Sequence, residues 1–272
     1  MGMLNETDRL YLNLIKNCLT REIFDESYCS IPINTKTPLR RIRSSIYKSI
    51  LNILSPLHLA LVHTNRPVGE TMIGMGALNN LEQCSAEVLE NEIPGDFCEA
   101  GVWRGGACIF MNAMLKVHHD TQRTVWVADS FEGLPKPNDN LYPQDKGSTL
   151  WKQSLSVNLE EVKHNFFKYD LLNDQVKFIK GFFSETMPTA PISKLALLRI
   201  DADMYESTIV TLRYLYPKLS AGGYVIIDDY GMIPACDKAI YDYRSERKIK
   251  DELKVIGYHE GHPLGAYWKK TS

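Results

Sequence analysis

A chain of 272 residues is long enough for one large α/β domain, or for a core domain with a helical attachment. Its hydrophobic fraction of 44% and charged fraction of 24% are those of an ordinary soluble globular protein. A formal net charge of -2 argues against a general nucleic-acid or membrane-surface binder.

The N-terminal stretch MGMLNETDRLYLNLIK carries charges throughout and has no cleavable apolar core, so no signal peptide is expected. The run IYKSILNILSPLHLALVH is broken by Lys48, Pro56 and two histidines, which makes it a poor membrane span. The basic cluster Arg40, Arg41 and Arg43 reads as a solvated helix face. The apolar segment Ile46–Leu61 could supply a subunit contact, and a homo-oligomer is expected. This part of the chain, up to residue 91, reads as helices and loops forming an N-terminal cap.

From Gly95 onward strands and helices alternate. DFCEAGVW (96–103), TVWVADS (124–130), QVKFIKG (175–181), KLALLRID (194–201) and GYVIIDD (223–229) are short apolar runs rich in Val, Ile and aromatic residues, the signature of strands. Helix-like segments lie between them: ACIFMNAMLKVHH, NLEEVKHNFFKYDLL, YESTIVTLRYLYPKL and, just after Pro234, CDKAIYDYRSERK. This rhythm predicts a mostly parallel, doubly wound α/β sheet over residues 92–272. ELKVIGYHEG and PLGAYWKKT predict a terminal β-hairpin. The polar connection Ser130–Gln153, rich in Pro, Gly and Asn, is long for a compact domain and reads as a lid or binding loop at the ligand edge of the sheet. Six cysteines (Cys18, Cys29, Cys84, Cys98, Cys108, Cys236) are scattered without a C-x-x-C pair, and a reducing cytoplasm fits them. Cys98 and Cys108 read as small buried apolar residues.

The chemistry gathers at the ends of the strands. The first strand–helix turn, CEAGVWRGGACIF, has Glu99 where a dinucleotide fingerprint has its first glycine, followed by Gly101, Gly105 and Gly106. A carboxylate there would repel a pyrophosphate and suit a cationic or amino-bearing ligand, which favours S-adenosylmethionine over NAD; a merely tight turn is the plainer reading. Asp129, ending the second strand, suits ribose hydroxyls or serves as a turn aspartate. GFFSETMP places Phe182, Phe183 and Ser184 where an adenine could stack, or where both rings pack into the core.

The runs LALLRIDADMYEST and GYVIIDDYG each stop abruptly on aspartates. If their strands are neighbours, Asp201, Asp228 and Asp229 converge at one edge, and carboxylates are costly to bring together without a cation. Oxygen-only ligands suit Mg²⁺, whereas zinc would want His or Cys. The alternative is capping: Asp203 for the helix starting near Tyr205, and Asp229 for a turn before Gly231. The histidines share no spacing, and no G-x-S-x-G elbow, Walker loop or H-E-x-x-H occurs.

EAGVWRGGACIFM, ADSFEGLP, LLRIDADMYEST and IIDDYG, in that order, resemble the macrocin O-methyltransferase family, whose members methylate sugar hydroxyls of natural products. The resemblance runs over roughly residues 70 to 270 and includes TMIG (Thr71–Gly74). It implies a Rossmann-like class I methyltransferase fold: a seven-stranded, mostly parallel sheet with strand order 3-2-1-4-5-7-6 and an antiparallel terminal hairpin. It also implies S-adenosylmethionine as methyl donor and Mg²⁺ as a cofactor that holds a small-molecule acceptor. Carried over by motif position, Glu99, Gly101 and Asp129 would belong to the donor site, with Thr71, Met72, Trp103, Arg104, Ser130, Phe182, Phe183 and Ser184 as further candidates for cofactor binding. Asp201, Asp228 and Asp229 would hold the metal, with Asp201 also the general base. The alternatives are an NAD-dependent oxidoreductase on a similar sheet and a non-catalytic nucleoside-binding relative.

Overall fold

A computed structural model describes residues 4–23, 69–153 and 155–272. The segment Ile46–Leu61, the Arg40–Arg43 cluster and Cys29 lie outside these residues.

Each predicted strand forms, and its burial explains its composition. β1 (Asp96–Ala100), β2 (Val125–Asp129), β3 (Val176–Lys180), β4 (Leu195–Ile200) and β5 (Leu219–Ile227) are parallel to one another. β6 (Lys254–Val255) and β9 (Ala266–Lys269) are the terminal hairpin, with β9 antiparallel to both β5 and β6. A short ribbon, β7 (Tyr258–His259) and β8 (His262–Pro263), closes the turn between them. The main sheet runs β3-β2-β1-β4-β5-β9-β6, which is the expected 3-2-1-4-5-7-6 once the ribbon is set aside.

Helices cover both faces, as unbroken apolar strands require. α1 (Glu6–Thr20), α2 (Met75–Glu90), α3 (Gly106–Val117) and α4 (Leu159–Lys168) share one apolar cluster with Phe97, Leu197 and Ile226. The short α5 (Phe183–Thr186), with α6 (Tyr205–Leu215) and α7 (Pro234–Glu246), lies over the opposite face, where Ile209, Leu212, Ile240 and Tyr243 meet Cys98, Leu198, Val225 and Ile227. Neighbours such as Phe97 and Cys98, or Leu197 and Leu198, thus serve opposite clusters, as the two-residue period of a strand dictates. α1 and α2 belong to the same cluster as the sheet, so the described part of the N-terminal region is built into the core. α7 begins at Pro234 itself, in the first-turn position proline favours. Among the described residues no helix is long and apolar enough to cross a membrane, and Cys18, Cys84, Cys98, Cys108 and Cys236 are free thiols.

Candidate active site

Ala100, Ile200 and Ile227 are in register across β1, β4 and β5, so the three strands end level. The ladder continues one residue further: Asp201 N–H donates to the Ala100 carbonyl at 2.9 Å and Asp228 N–H to the Ile200 carbonyl at 3.0 Å. Gly101, Asp201 and Asp228 therefore stand side by side at the C-terminal edge, the ligand edge of open α/β sheets. The contact is intimate. Gly101 has φ +89°, and a Cβ there would lie 1.7 Å from the Asp201 carbonyl oxygen. Only glycine satisfies both the backbone angle and the space.

What holds these acids together is Arg199, a residue that sequence reasoning passed over. It is 2% exposed and sits opposite Glu99 in the β1–β4 register. Its guanidinium donates to Glu99 Oε1, to Asp201 Oδ2 at 3.0 Å and to Asp228 Oδ1. Burial alone would lower its pKa, but the three carboxylates raise it well above the usual value. The signal was present in LALLRID: an arginine inside a run buried on both faces needs buried acids as partners. Glu99, expected to face a cationic ligand, instead spends its carboxylate on Arg199 and on the Cys108 thiol at 2.9 Å. Its burial still pushes its carboxyl up.

Asp201, Asp228 and Asp229 each place a carboxylate oxygen within 4.8 Å of the others. With Glu99 and Asp203, five carboxylates gather around Arg199 or its partners. The charge imbalance shows in their acidity. Burial, then Asp201, raises Asp228 to about 7, with Arg199 opposing. Burial, then Asp201 and Asp129, raises Asp203 to about 7. Burial, then Asp201, Asp203 and Asp228, lifts Asp229 well above the carboxylate range. The donor set is all oxygen, and the single guanidinium of Arg199 does not balance five carboxylates, so the cluster fits a hard divalent cation.

Helix capping falls to another residue. Asp203 does not cap α6: it adopts φ +58° and donates its N–H to Asp229 Oδ2 at 2.8 Å. The cap is Asp145, from the long polar loop, which accepts from the Tyr205 and Glu206 N–H groups at 2.8 and 2.9 Å while almost fully buried. Asp229 combines its place in the acid trio with the turn suggested for it, since its carbonyl accepts from the N–H groups of Met232 and Ile233.

A cleft opens beside Asp201 at the ligand edge of the sheet. Met72, Gly101, Trp103, Asp129, Ser130, Phe182 and Phe183 line it, along with Leu134 and Pro135 from the long loop. Asp129 accepts from Val102 N–H at 2.8 Å and Phe131 N–H at 2.7 Å, and its burial raises its pKa against those bonds. It thereby fixes the turn that carries Gly101 and Trp103. Ser130 donates to the Gly133 carbonyl at 2.6 Å, shaping the start of the long loop. Thr71, Arg104 and Ser184 do not line the cleft. Thr71 is buried and accepts from the Ile73 N–H, Arg104 donates to the Gly69 carbonyl at 3.1 Å and faces Glu161, and Ser184 is exposed on α5.

The start of α3 separates this cleft from a dinucleotide site. Gly106 N–H donates to the Glu70 carbonyl at 2.9 Å, and a Cβ on Gly106 would lie 2.6 Å from both that oxygen and Thr71 Cβ. The seat a pyrophosphate would take at the helix N-terminus is filled by the chain itself. Glu70 anchors this segment: it is buried, accepts from Tyr169 Oη at 2.8 Å and pairs with Arg21 and Lys168, each at 3.4 Å.

The family model of the macrocin-O-methyltransferases (TylF) matches residues 8–270. The chain belongs to this family. It is an S-adenosylmethionine-dependent O-methyltransferase, which sets aside the oxidoreductase and non-catalytic alternatives. It is 50% identical over 203 residues to demethyldecarbamoylnovobiocin O-methyltransferase of Streptomyces niveus, covering 74% of this chain and 76% of that one. It is 47% identical over 207 residues to 8-demethyl-8-(2,3-dimethoxy-alpha-L-rhamnosyl)-tetracenomycin-C 4'-O-methyltransferase of Streptomyces olivaceus, covering 75% and 77%. The structure of the O-methyltransferase NovP superposes with a TM-score of 0.80 at 40% identity, covering 97% of this chain and 100% of that one.

Proposed function

We propose that the protein transfers a methyl group from S-adenosylmethionine to a sugar hydroxyl of a glycosylated natural product, with Mg²⁺ held by Asp201, Asp228 and Asp229. The observation that carries this reading is the acid trio at the mouth of the donor cleft: Asp201 lines the cleft, and oxygens of Asp228 and Asp229 lie within 4.8 Å of its own. The rhamnosyl acceptor in the name of the tetracenomycin relative supports a sugar as the methylated group.

The donor supplies an electrophilic methyl on a sulfonium, which departs as a neutral thioether retaining the C–S electron pair. Asp201, Asp228 and Asp229 would hold Mg²⁺, which when bound would supply Lewis-acid chemistry that makes the acceptor hydroxyl more acidic. The chain does the rest. Gly101, Phe182 and Phe183 line the donor cleft beside Asp201, and the two rings offer apolar faces to the adenine. Asp201 takes the hydroxyl proton as the oxygen forms its bond to the methyl carbon. Arg199, hydrogen-bonded to both Asp201 and Asp228, orients the two carboxylates before substrate arrives.

Mn²⁺ binding followed by electron paramagnetic resonance tests the metal independently of activity. Wild type should bind it, and Asp228→Asn and Asp229→Asn should weaken binding by at least about tenfold, because each removes a charged ligand. Equal binding by all three proteins, with full activity in EDTA, would remove the metal from the proposal. Asp201→Ala should lose turnover yet bind S-adenosylhomocysteine; undiminished turnover would sink its role as base.

A further inference from the structure

Two stretches without helix or strand contribute side chains to the donor cleft: residues 69–74, through Met72, and residues 101–105, through Gly101 and Trp103. No ladder of backbone bonds fixes either stretch. Trp103 also adopts φ +48°, an uncommon angle for a bulky residue, which its surroundings must impose.

A closed circuit of polar contacts ties the two stretches together. The Arg104 guanidinium donates to the Gly69 carbonyl at 3.1 Å and lies 4.5 Å from the centroid of the Trp103 ring. The Arg104 carbonyl accepts from Asn165 Nδ2 at 2.9 Å, and Asn165 Oδ1 accepts from Lys168 Nζ at 2.8 Å. Lys168 donates in turn to the Glu70 carboxylate at 3.4 Å, which brings the circuit back to the residue after Gly69. Glu70 is its hub. Its N–H donates to the Leu19 carbonyl at the end of α1, its carbonyl accepts from Gly106 at the start of α3, and its carboxylate meets Tyr169, Lys168 and Arg21. A buried carboxylate paired with cations is a weak source of stability beside apolar packing. What the hub supplies is geometry, because three helices are referred to one residue two positions before Met72.

Resting on the reading that the methyl donor occupies this cleft, we infer that Glu70 is a positioning residue for S-adenosylmethionine. Through Tyr169, Lys168 and Asn165 it holds Met72 and Trp103 in the arrangement that receives the donor. Glu70 does not itself line the cleft and does not belong to the acid trio, so its effect falls on donor binding and leaves the metal ligands in place.

Calorimetric titration with S-adenosylhomocysteine, beside Mn²⁺ binding by electron paramagnetic resonance, tests this on the full chain. Glu70→Gln should raise the dissociation constant of S-adenosylhomocysteine by about tenfold or more, since a misplacement of about 1 Å can cost on the order of 10²-fold. Glu70→Asp keeps the charge and should bind more tightly than Glu70→Gln. Tyr169→Phe, which removes the 2.8 Å bond to Glu70, should weaken binding in the same direction and decides the matter alone if Glu70→Gln does not fold. Mn²⁺ binding should be unchanged in all three. Tyr224→Phe breaks another phenol–carboxylate bond, to Glu87 on α2 and outside the circuit, and should bind S-adenosylhomocysteine as wild type does. Unaltered donor binding in Glu70→Gln and Tyr169→Phe, parallel loss of Mn²⁺ binding, or equal weakening in Tyr224→Phe would each overturn the positioning role. Trp103→Ala separates the two readings: if it binds S-adenosylhomocysteine undiminished, the donor does not occupy this cleft, and the role of Glu70 falls with that placement.

Discussion

Replacing Arg199 by Met keeps most of the side-chain volume and removes the charge that Glu99, Asp201 and Asp228 share. Arg199 and Glu99 are both 2% exposed, so water cannot take the place of the guanidinium. Breaking a buried ion pair from one side costs about 3–5 kcal/mol, because the partner charge stays buried and alone. Here three carboxylates are left, although Asp201 and Asp228 are partly reached by solvent. The expected loss in urea denaturation at pH 8 is therefore about 4 kcal/mol, a large share of the roughly 5–15 kcal/mol that holds a typical domain folded. The pH dependence gives a second reading. Glu99's folded pKa lies above its ordinary 4.5, so the unfolded chain releases this proton first. Its contribution to stability consequently declines as pH rises from about 4.5 through the folded pKa. Without Arg199 that folded pKa climbs further, so the gap between wild type and variant should widen from pH 5 to pH 8. Arg199→Lys should recover part of the loss, as it restores the charge without the fork that reaches three acids at once. A loss under about 1 kcal/mol at pH 8, with no dependence on pH, would mean that the acids do not rely on this arginine.

Gly101→Ala should lower stability by at least about 2 kcal/mol, from the left-handed backbone plus a clash with the Asp201 carbonyl, and a melting temperature within a degree of wild type would contradict the packing described. Asp145→Ala removes the cap of α6 and the anchor of the long loop; about 1–2 kcal/mol should be lost, with faster proteolysis within residues 130–153, and unchanged cleavage would show that the anchor is not needed. His118 is buried with neither ring nitrogen hydrogen-bonded, and burial lowers its pKa despite nearby Glu90, Asp8 and Asp120. The unfolded chain then takes up a proton near pH 6.5 before the folded one does, so stability should fall as the pH drops below that value. His118→Leu should flatten this acid-side slope without loss at pH 8; an unaltered slope assigns it to other groups.

The strands, their order in the chain and the edge at which the chemistry lies were legible in the sequence, because each rests on local pattern. Runs such as KLALLRID and GYVIIDD can satisfy their apolar side chains only as strands covered on both faces, and the aspartates that stop them must emerge at the strand ends. Family membership was legible for a related reason, since the four motifs mark backbone positions that tolerate few side chains, as Gly101 shows. Partnerships across long stretches of chain were not. Asp145 caps a helix that begins 60 residues later, and Glu70 meets Tyr169 across 99 residues. No local propensity announces such contacts, because they arise only when β4 and β5 align and the loops close over them.

The same limit explains the acids. The sequence required that something positive accompany Asp201, Asp228 and Asp229, and it offered a metal as the answer. The tertiary structure added Arg199, which the register sets opposite Glu99 and which donates to Asp201 and Asp228 as well. A guanidinium buried at fixed distance from three carboxylates is a property of strand alignment, to which the order of residues along any one strand is blind.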